Sequence, residues 1–240
     1  MRRFLLSLLF LSLIAIAVIE LAAWAARHPQ DLPWTALDLD QPAGRFTAAR
    51  IAALGGKPEL CRALLAKAGA RDRPVPPILR GKSCGFADGV RVFGGGAREA
   101  AVAPEGLVTS CPVAAALLAW EEQVVQPAAR RLLDSDVAAI VHAGSYSCRR
   151  INGAEGRAWS EHATADAIDV TGFRLTDGRT VSVIGDWSGE QAEAQFLREV
   201  RDGACRFYTT VLSPDYNRAH RDHFHFDTAD RGAGGWRACR

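Results

Sequence analysis

Near the end of the chain, residues 220–227 read HRDHFHFD, and well upstream residues 160–169 read SEHATADAID. The first stretch holds three of the six histidines of the chain and two aspartates. Taken as a strand, its side chains alternate faces, so His223 and His225 point one way while Phe224 and Phe226 point into a core. Two imidazoles at that spacing can serve a divalent metal or a reaction centre. They equally suit a half-exposed strand whose polar face carries histidine, and H-x-H alone does not separate the two. The second stretch adds His162, in a loop of small residues, and Asp169, in a strand beginning near Ala167. A catalytic zinc site takes three protein ligands from N and O donors and keeps one position open for water. His162, Asp169 and one histidine of the H-x-H pair make such a set. Together the two stretches favour a metal site over a buried turn aspartate beside a polar strand.

Elements at both ends of the chain must carry these residues. HPQDLPWTALDLDQPAGRF, residues 28–46, has no amphipathic period and reads as a linker or extended lead-in. FTAARIAALGG and KPELCRALLAKAGA then predict two short helices closed by glycine. RDRPVPPILRGK is a proline-rich loop and GVRVFGGG a short strand. CPVAAALLAWEEQVVQPAARRLL is the longest helical run, which Pro127 should end or kink. Beyond it the period changes. VAAIVHAGSYS predicts a buried strand entering a polar loop. AIDVTGFRL and TVSVIG predict two strands around the Asp177-Gly178 turn. SGEQAEAQFLREVRDG predicts an amphipathic helix with a Ser188/Gln191 capping box, closed by Gly203. RFYTTVL and HFHFDTA complete the strands. The pattern is α+β: a mainly antiparallel sheet with helices packed on one side.

The chain has 240 residues and 48% hydrophobic residues, ample for a core, and a formal net charge of +2. No basic, aromatic-interleaved surface points to nucleic acid. The N-terminus starts with Arg2 and Arg3 and runs apolar from Phe4 to Ile19, then resumes after Glu20. That pattern predicts a signal peptide or transmembrane anchor over residues 1–27, with an anchor slightly favoured by Trp24. Residues 47–240 form the main domain. The body is therefore expected outside the cytoplasm, in the periplasm or cell envelope, with the membrane as a partner through residues 4–26 if the segment is uncleaved. Six cysteines without a C-x-x-C pair predict a disulfide framework. Among the possible pairings we expect Cys84–Cys111, Cys148–Cys205 and Cys61–Cys239.

SEHATADAID resembles the S-x-H-x-x-G-x-A-x-D motif of zinc D-Ala-D-Ala carboxypeptidases and related murein endopeptidases. HRDHFHF resembles the H-x-x-H-x-H segment of penicillin-insensitive murein endopeptidases. From GSYSCRRING to DHFHFD the chain is similar to the bacterial extensin-like C-terminal domain family, whose name is borrowed from a plant cell-wall glycoprotein. Ala165 departs from the peptidase motif, which has glycine there.

The resemblance implies that His162, Asp169 and His225 hold Zn2+ and that His223 orients water or stabilises the developing oxyanion. It places Asp222 where carboxypeptidases carry a general-base glutamate, although strand alternation would turn Asp222 away from His223. His220 completes the pocket from the preceding loop. An arginine that binds the carboxylate of a peptide is also implied: Arg149 first, then Arg150, with Ser147 and Tyr146 as further polar contacts. Together these imply a zinc-dependent peptidase acting on peptidoglycan or its peptide stems. The competing expectation is a wall-binding module that keeps zinc without turnover, and a third is a disulfide-stapled structural protein.

Overall fold

A computed structural model of the chain describes residues 2–81, 83–94, 100–231 and 237–240. The chain opens on α1 (Arg2–Arg27), an apolar helix with no buried residue, long and apolar enough to cross a bilayer. Two short helices follow, α2 (Thr47–Ala52) and α3 (Pro58–Lys67). Next come β1 (Asp72–Pro74), β2 (Ile78–Leu79), β3 (Gly85–Phe86), β4 (Gly89–Val92), β5 (Ala101–Ala103) and β6 (Leu107–Ser110). Helices α4 (Cys111–Trp120) and α5 (Gln126–Leu133) precede β7 (Val137–Gly144), β8 (Ala167–Leu175) and β9 (Thr180–Ser182). The last elements are α6 (Val183–Asp186), α7 (Ala192–Ala204), β10 (Thr210–Leu212), β11 (Phe224–Asp227) and β12 (Ala238–Cys239). The glycine tail of GVRVFGGG beyond Gly94 lies outside the described residues.

The main sheet runs β12-β10-β11-β8-β7-β5, with β9 also paired to β8. Its interior pairs are antiparallel, as the sequence predicts, but the edge strands β5 and β12 pair in parallel. Smaller sheets, β1-β4-β6 and β2-β3, lie outside it. The core is aromatic: Trp120, Phe173, Phe196, Tyr208, Phe224 and Phe226 are fully buried and meet ring to ring. Helix α4 is buried along its whole length, which is why its sequence is apolar all round rather than on one face.

Three local expectations need correction. Pro127 does not end its helical run. One wide turn, Glu121–Val125, precedes it, with the Gln126 N–H bonded to the Glu121 carbonyl, and the helix resumes as α5. TVSVIG is a strand only to Ser182, whose hydroxyl then accepts from the Gly185 N–H and starts α6. In α7 the cap is Gln191 without a side-chain bond to the helix, and Gly203 lies inside the helix, where a Cβ would strike Val124.

The disulfides are Cys61–Cys111, Cys84–Cys148 and Cys205–Cys239, so all three expected pairings are replaced. Packing decides them. α3 lies against α4, bringing Cys61 to Cys111; the end of α7 lies beside β12, bringing Cys205 to Cys239. Cys84, just before β3, joins the loop after β7. Residues 28–46 run along the body: Gln30 and Leu39 are buried, and Gln123 bonds Leu39, Gln41 and Ala43.

Candidate metal centre

The geometry starts from strand register. In the antiparallel pairing of β11 with β8, His225 sits directly opposite Asp169. Their neighbours Phe224, Phe226, Ile168 and Val170 are fully buried, so alternation sends His225 and Asp169 to the other face of the sheet. His162 arrives from the short 3-10 turn Glu161–Thr164 that leads into β8. The Ser160 hydroxyl accepts from the His162 N–H, and Ala165 ends the turn in the left-handed region at φ 61°. The Ala165 carbonyl then accepts from the Ser110 N–H and the Thr109 and Ser145 hydroxyls. The Ser147 N–H bonds the His162 carbonyl. The loop after β7 thus clamps the turn that carries the histidine.

His162 Nε2, His225 Nδ1 and Asp169 Oδ1 lie 3.1 Å from one another, in a triangle. Each histidine uses its other nitrogen outward. His162 Nδ1 is 2.6 Å from the Ser145 carbonyl, to which it can only donate. His225 Nε2 faces Asp227 Oδ2 at 3.4 Å. With those outward nitrogens carrying the protons, the three inward atoms are all lone-pair acceptors. Three acceptors converging in a buried corner require a cation or a proton between them. Ligands at 2.0–2.1 Å in a tetrahedral zinc site are about 3.3–3.4 Å apart, close to this triangle. The donor set and its outward hydrogen bonds therefore fit zinc.

The electrostatics record the same crowding. Burial would raise the Asp169 carboxyl, but hydrogen bonds with His162 and His225 hold it far below the ordinary range. Burial would lower His225, yet its hydrogen bonds to Asp169 and Asp227 push it up to about 9. Burial, then the neighbouring His225 and His223, lowers His220 to about 4.

The triangle forms the floor of a cavity of about 500 Å³. His223 lies beside it, with Nε2 3.6 Å from Asp169 Oδ1 and Nδ1 2.8 Å from Asp222 Oδ1. β11 begins only at Phe224, so strand alternation does not govern Asp222, which turns toward His223 rather than away. Asp222 touches the imidazole but is not part of the cavity wall. His220 lines the cavity, with Nδ1 2.9 Å from Asn217 Oδ1.

Arg149 also lines the cavity. Arg150 and Ser147 are near it in sequence but outside the lining: Arg150 stacks over Trp159 and donates to the Arg157 carbonyl. Tyr146 packs edge-on to Phe86, away from the cavity.

Several residues in the wall escape the sequence reading, Asp227, Glu161 and Arg157 among them. Asp227 backs His225, held by the Ala229 N–H at 3.2 Å and near Arg231 at 3.5 Å. Its place in HFHFD, two residues after His225 and on the same face, is a usable signal. Glu161 adjoins His162; burial, then Asp227 and Asp166, raises its carboxyl above the ordinary range. Arg157 lines the cavity from the loop closed by the Arg150–Trp159 bridge.

A family model described as extensin-like protein C-terminus matches residues 59–240. No curated protein and no solved structure matches the chain.

Proposed function

The chain belongs to the extensin-like protein C-terminus family, and from that premise and the geometry of the metal centre we propose that it is a zinc-dependent hydrolase cleaving peptide bonds in peptidoglycan. The convergence of three lone-pair donors, each histidine fixed from behind, is the observation that carries this reading. Likeness of SEHATADAID and HRDHFHF to the zinc peptidase motifs supports the reaction class. An apolar N-terminal helix and three disulfides mark the chain as exported. The wall polymer of the periplasm is the substrate we assign.

His162, Asp169 and His225 would hold the ion, which when bound supplies Lewis-acid polarisation and water acidic enough to react near neutral pH. Protein groups do the rest. Asp222 accepts the hydrogen bond of the His223 Nδ1–H and so fixes the tautomer that leaves Nε2 as the basic atom beside the metal site. That nitrogen receives a proton from water and returns it to the departing amine. Asp227 holds the Nε2 proton of His225 and so keeps its Nδ1 lone pair inward. Arg149 and Arg157, planar and permanently charged, take the carboxylates of the peptide stem.

The test is digestion of muropeptides by purified chain, with product masses read with and without chelator. Cleavage that chelator abolishes and zinc restores is expected. Stoichiometric zinc without any cleavage across a broad muropeptide set would replace the enzyme with a wall-binding module.

A further inference from the structure

We propose that the loop after α1 docks on the lipid headgroup layer, a reading that holds only if α1 is retained as an anchor, so that the domain is seated against the bilayer instead of swinging from a tether. α1 spans 26 residues, or about 39 Å at 1.5 Å per residue, against a hydrocarbon core of about 30 Å. Its last turns, with Trp24 stacked on His28, therefore reach the headgroups, where tryptophan anchors a span.

The chain has no slack beyond that point. The His28 N–H still bonds the Trp24 carbonyl, and Gln30, three residues after the helix, is already buried in the domain. The Phe46 N–H bonds the Gln30 carbonyl, the Arg45 N–H bonds Asp31 Oδ1 at 2.6 Å, and Arg50 reaches the Leu32 carbonyl. Seven extended residues after Arg27 would carry Trp34 about 23–25 Å away. Instead the Thr35 hydroxyl closes on the carbonyls of Pro29 and Leu32, folding the segment back on itself at the helix end. Trp34 stands at the tip of this closed loop, 77% exposed, beside the exposed Pro33. A large amphipathic ring left in water is unfavourable, whereas at the headgroup level it is at home. The occupant of this apolar tip is the bilayer interface, because the span it adjoins fixes it there.

The measurement uses the full chain in nanodiscs of phosphatidylethanolamine and phosphatidylglycerol, compared with its Trp34→Phe variant. Subtracting the two emission spectra isolates Trp34 from the other five tryptophans, and circular dichroism checks that the variant keeps its fold. The difference spectrum is expected to be blue-shifted and quenched several-fold more by lipids brominated near the headgroup than by aqueous acrylamide. A Trp34 component that emits as in water and answers only to acrylamide overturns the docking. The intact mass of chain extracted from membranes separates the other failure: loss of residues up to about the end of α1 removes the anchor, and the docking with it, while leaving the metal centre untouched.

Discussion

His225 takes part in two competing equilibria, and its position decides both. Without metal, its ring is pushed from 6.5 up to about 9 by Asp169 and Asp227. Because the folded value is the higher, the protonated ring stabilises the metal-free fold fully below about 6.5 and this contribution fades as pH rises through about 9. Asp169 works in the opposite sense: its depressed carboxyl contributes above its ordinary 3.8, and the contribution is lost as pH falls below that. A zinc ion must displace the His225 proton. Zinc affinity should therefore climb from pH 6.5 to pH 9 and then flatten, with close to one proton released per ion at pH 7. Calorimetry in two buffers of different ionisation enthalpy reads this directly, and a pH-independent affinity would contradict it. Substitution divides the roles further. His225→Ala should abolish zinc binding, whereas His223→Ala should keep zinc and lose turnover, since His223 stands beside the triangle and not in it. Asp227→Asn should weaken zinc about 10–100-fold without removing a ligand. Equal loss of metal in the His223 and His225 variants would sink the assignment.

The elements explain why these residues were legible and others were not. Asp169 and His225 occupy facing positions on adjacent strands, and strand alternation is a sequence-level property, so which way each side chain points could be read beforehand. The position of His162 depends on a 3-10 turn of small residues, which the motif contains from Ser160 to Ala165. Asp222 could not be read, because the strand starts two residues later than the alternation assumed. Arg157 comes to the cavity through loop closure, which leaves no period, whereas Glu161 shares the turn of His162 and its place beside that ligand is an unused sequence signal. Ala165 shows the same limit and permits a test. It is buried and left-handed, a conformation costing an L-residue about 1–2 kcal/mol. Ala165→Gly would relieve that cost but give up about 0.8 kcal/mol of methyl burial and about 0.5–1 kcal/mol of chain entropy. Its stability should change by less than about 1 kcal/mol, with zinc affinity kept. Ala165→Val adds a branched side chain at a fully buried position where φ is positive, and should cost about 2 kcal/mol or more. Because the Ala165 carbonyl ties the turn to Thr109, Ser110 and Ser145, the valine variant should also lose zinc affinity. Denaturant titration with parallel zinc binding checks both, and a valine variant with normal affinity would detach the turn from the site.

Across the whole molecule, the fold class followed from composition and period, while the disulfide pairing did not, since it depends on which helices and strands meet in space. That pairing has functional consequences. Cys84–Cys148 closes a separation of 64 residues and ends one residue before Arg149. The chain-entropy account gives such a crosslink about 4 kcal/mol. It restrains the loop that carries Arg149 and borders the turn of His162. That turn is also held by its own hydrogen bonds to Ser145, Ser147 and Ser160, and the crosslink touches neither β8 nor β11, which carry Asp169 and His225. Metal binding acts on the whole fold differently, because the triangle exists only when β8, β11 and the 3-10 turn are assembled. Zinc at about 100 times its dissociation constant should add about 2.7 kcal/mol to unfolding, or about 5–10 °C in Tm for a domain of this size. Removing Cys84 and Cys148 together by serine substitution should lower Tm in the presence and absence of zinc alike, leaving the zinc-dependent increment nearly intact. His225→Ala should erase the increment altogether, and at pH 7 it should also lower the metal-free Tm, because the ion pairs of the protonated ring go with it. Thermal unfolding of the three proteins at pH 7, with saturating zinc or with chelator and with disulfides otherwise intact, separates the two contributions. If the serine variant lost the increment as completely as His225→Ala does, the disulfide would be organising the metal centre itself, and the division between a crosslinked substrate wall and a sheet-borne metal floor would fail.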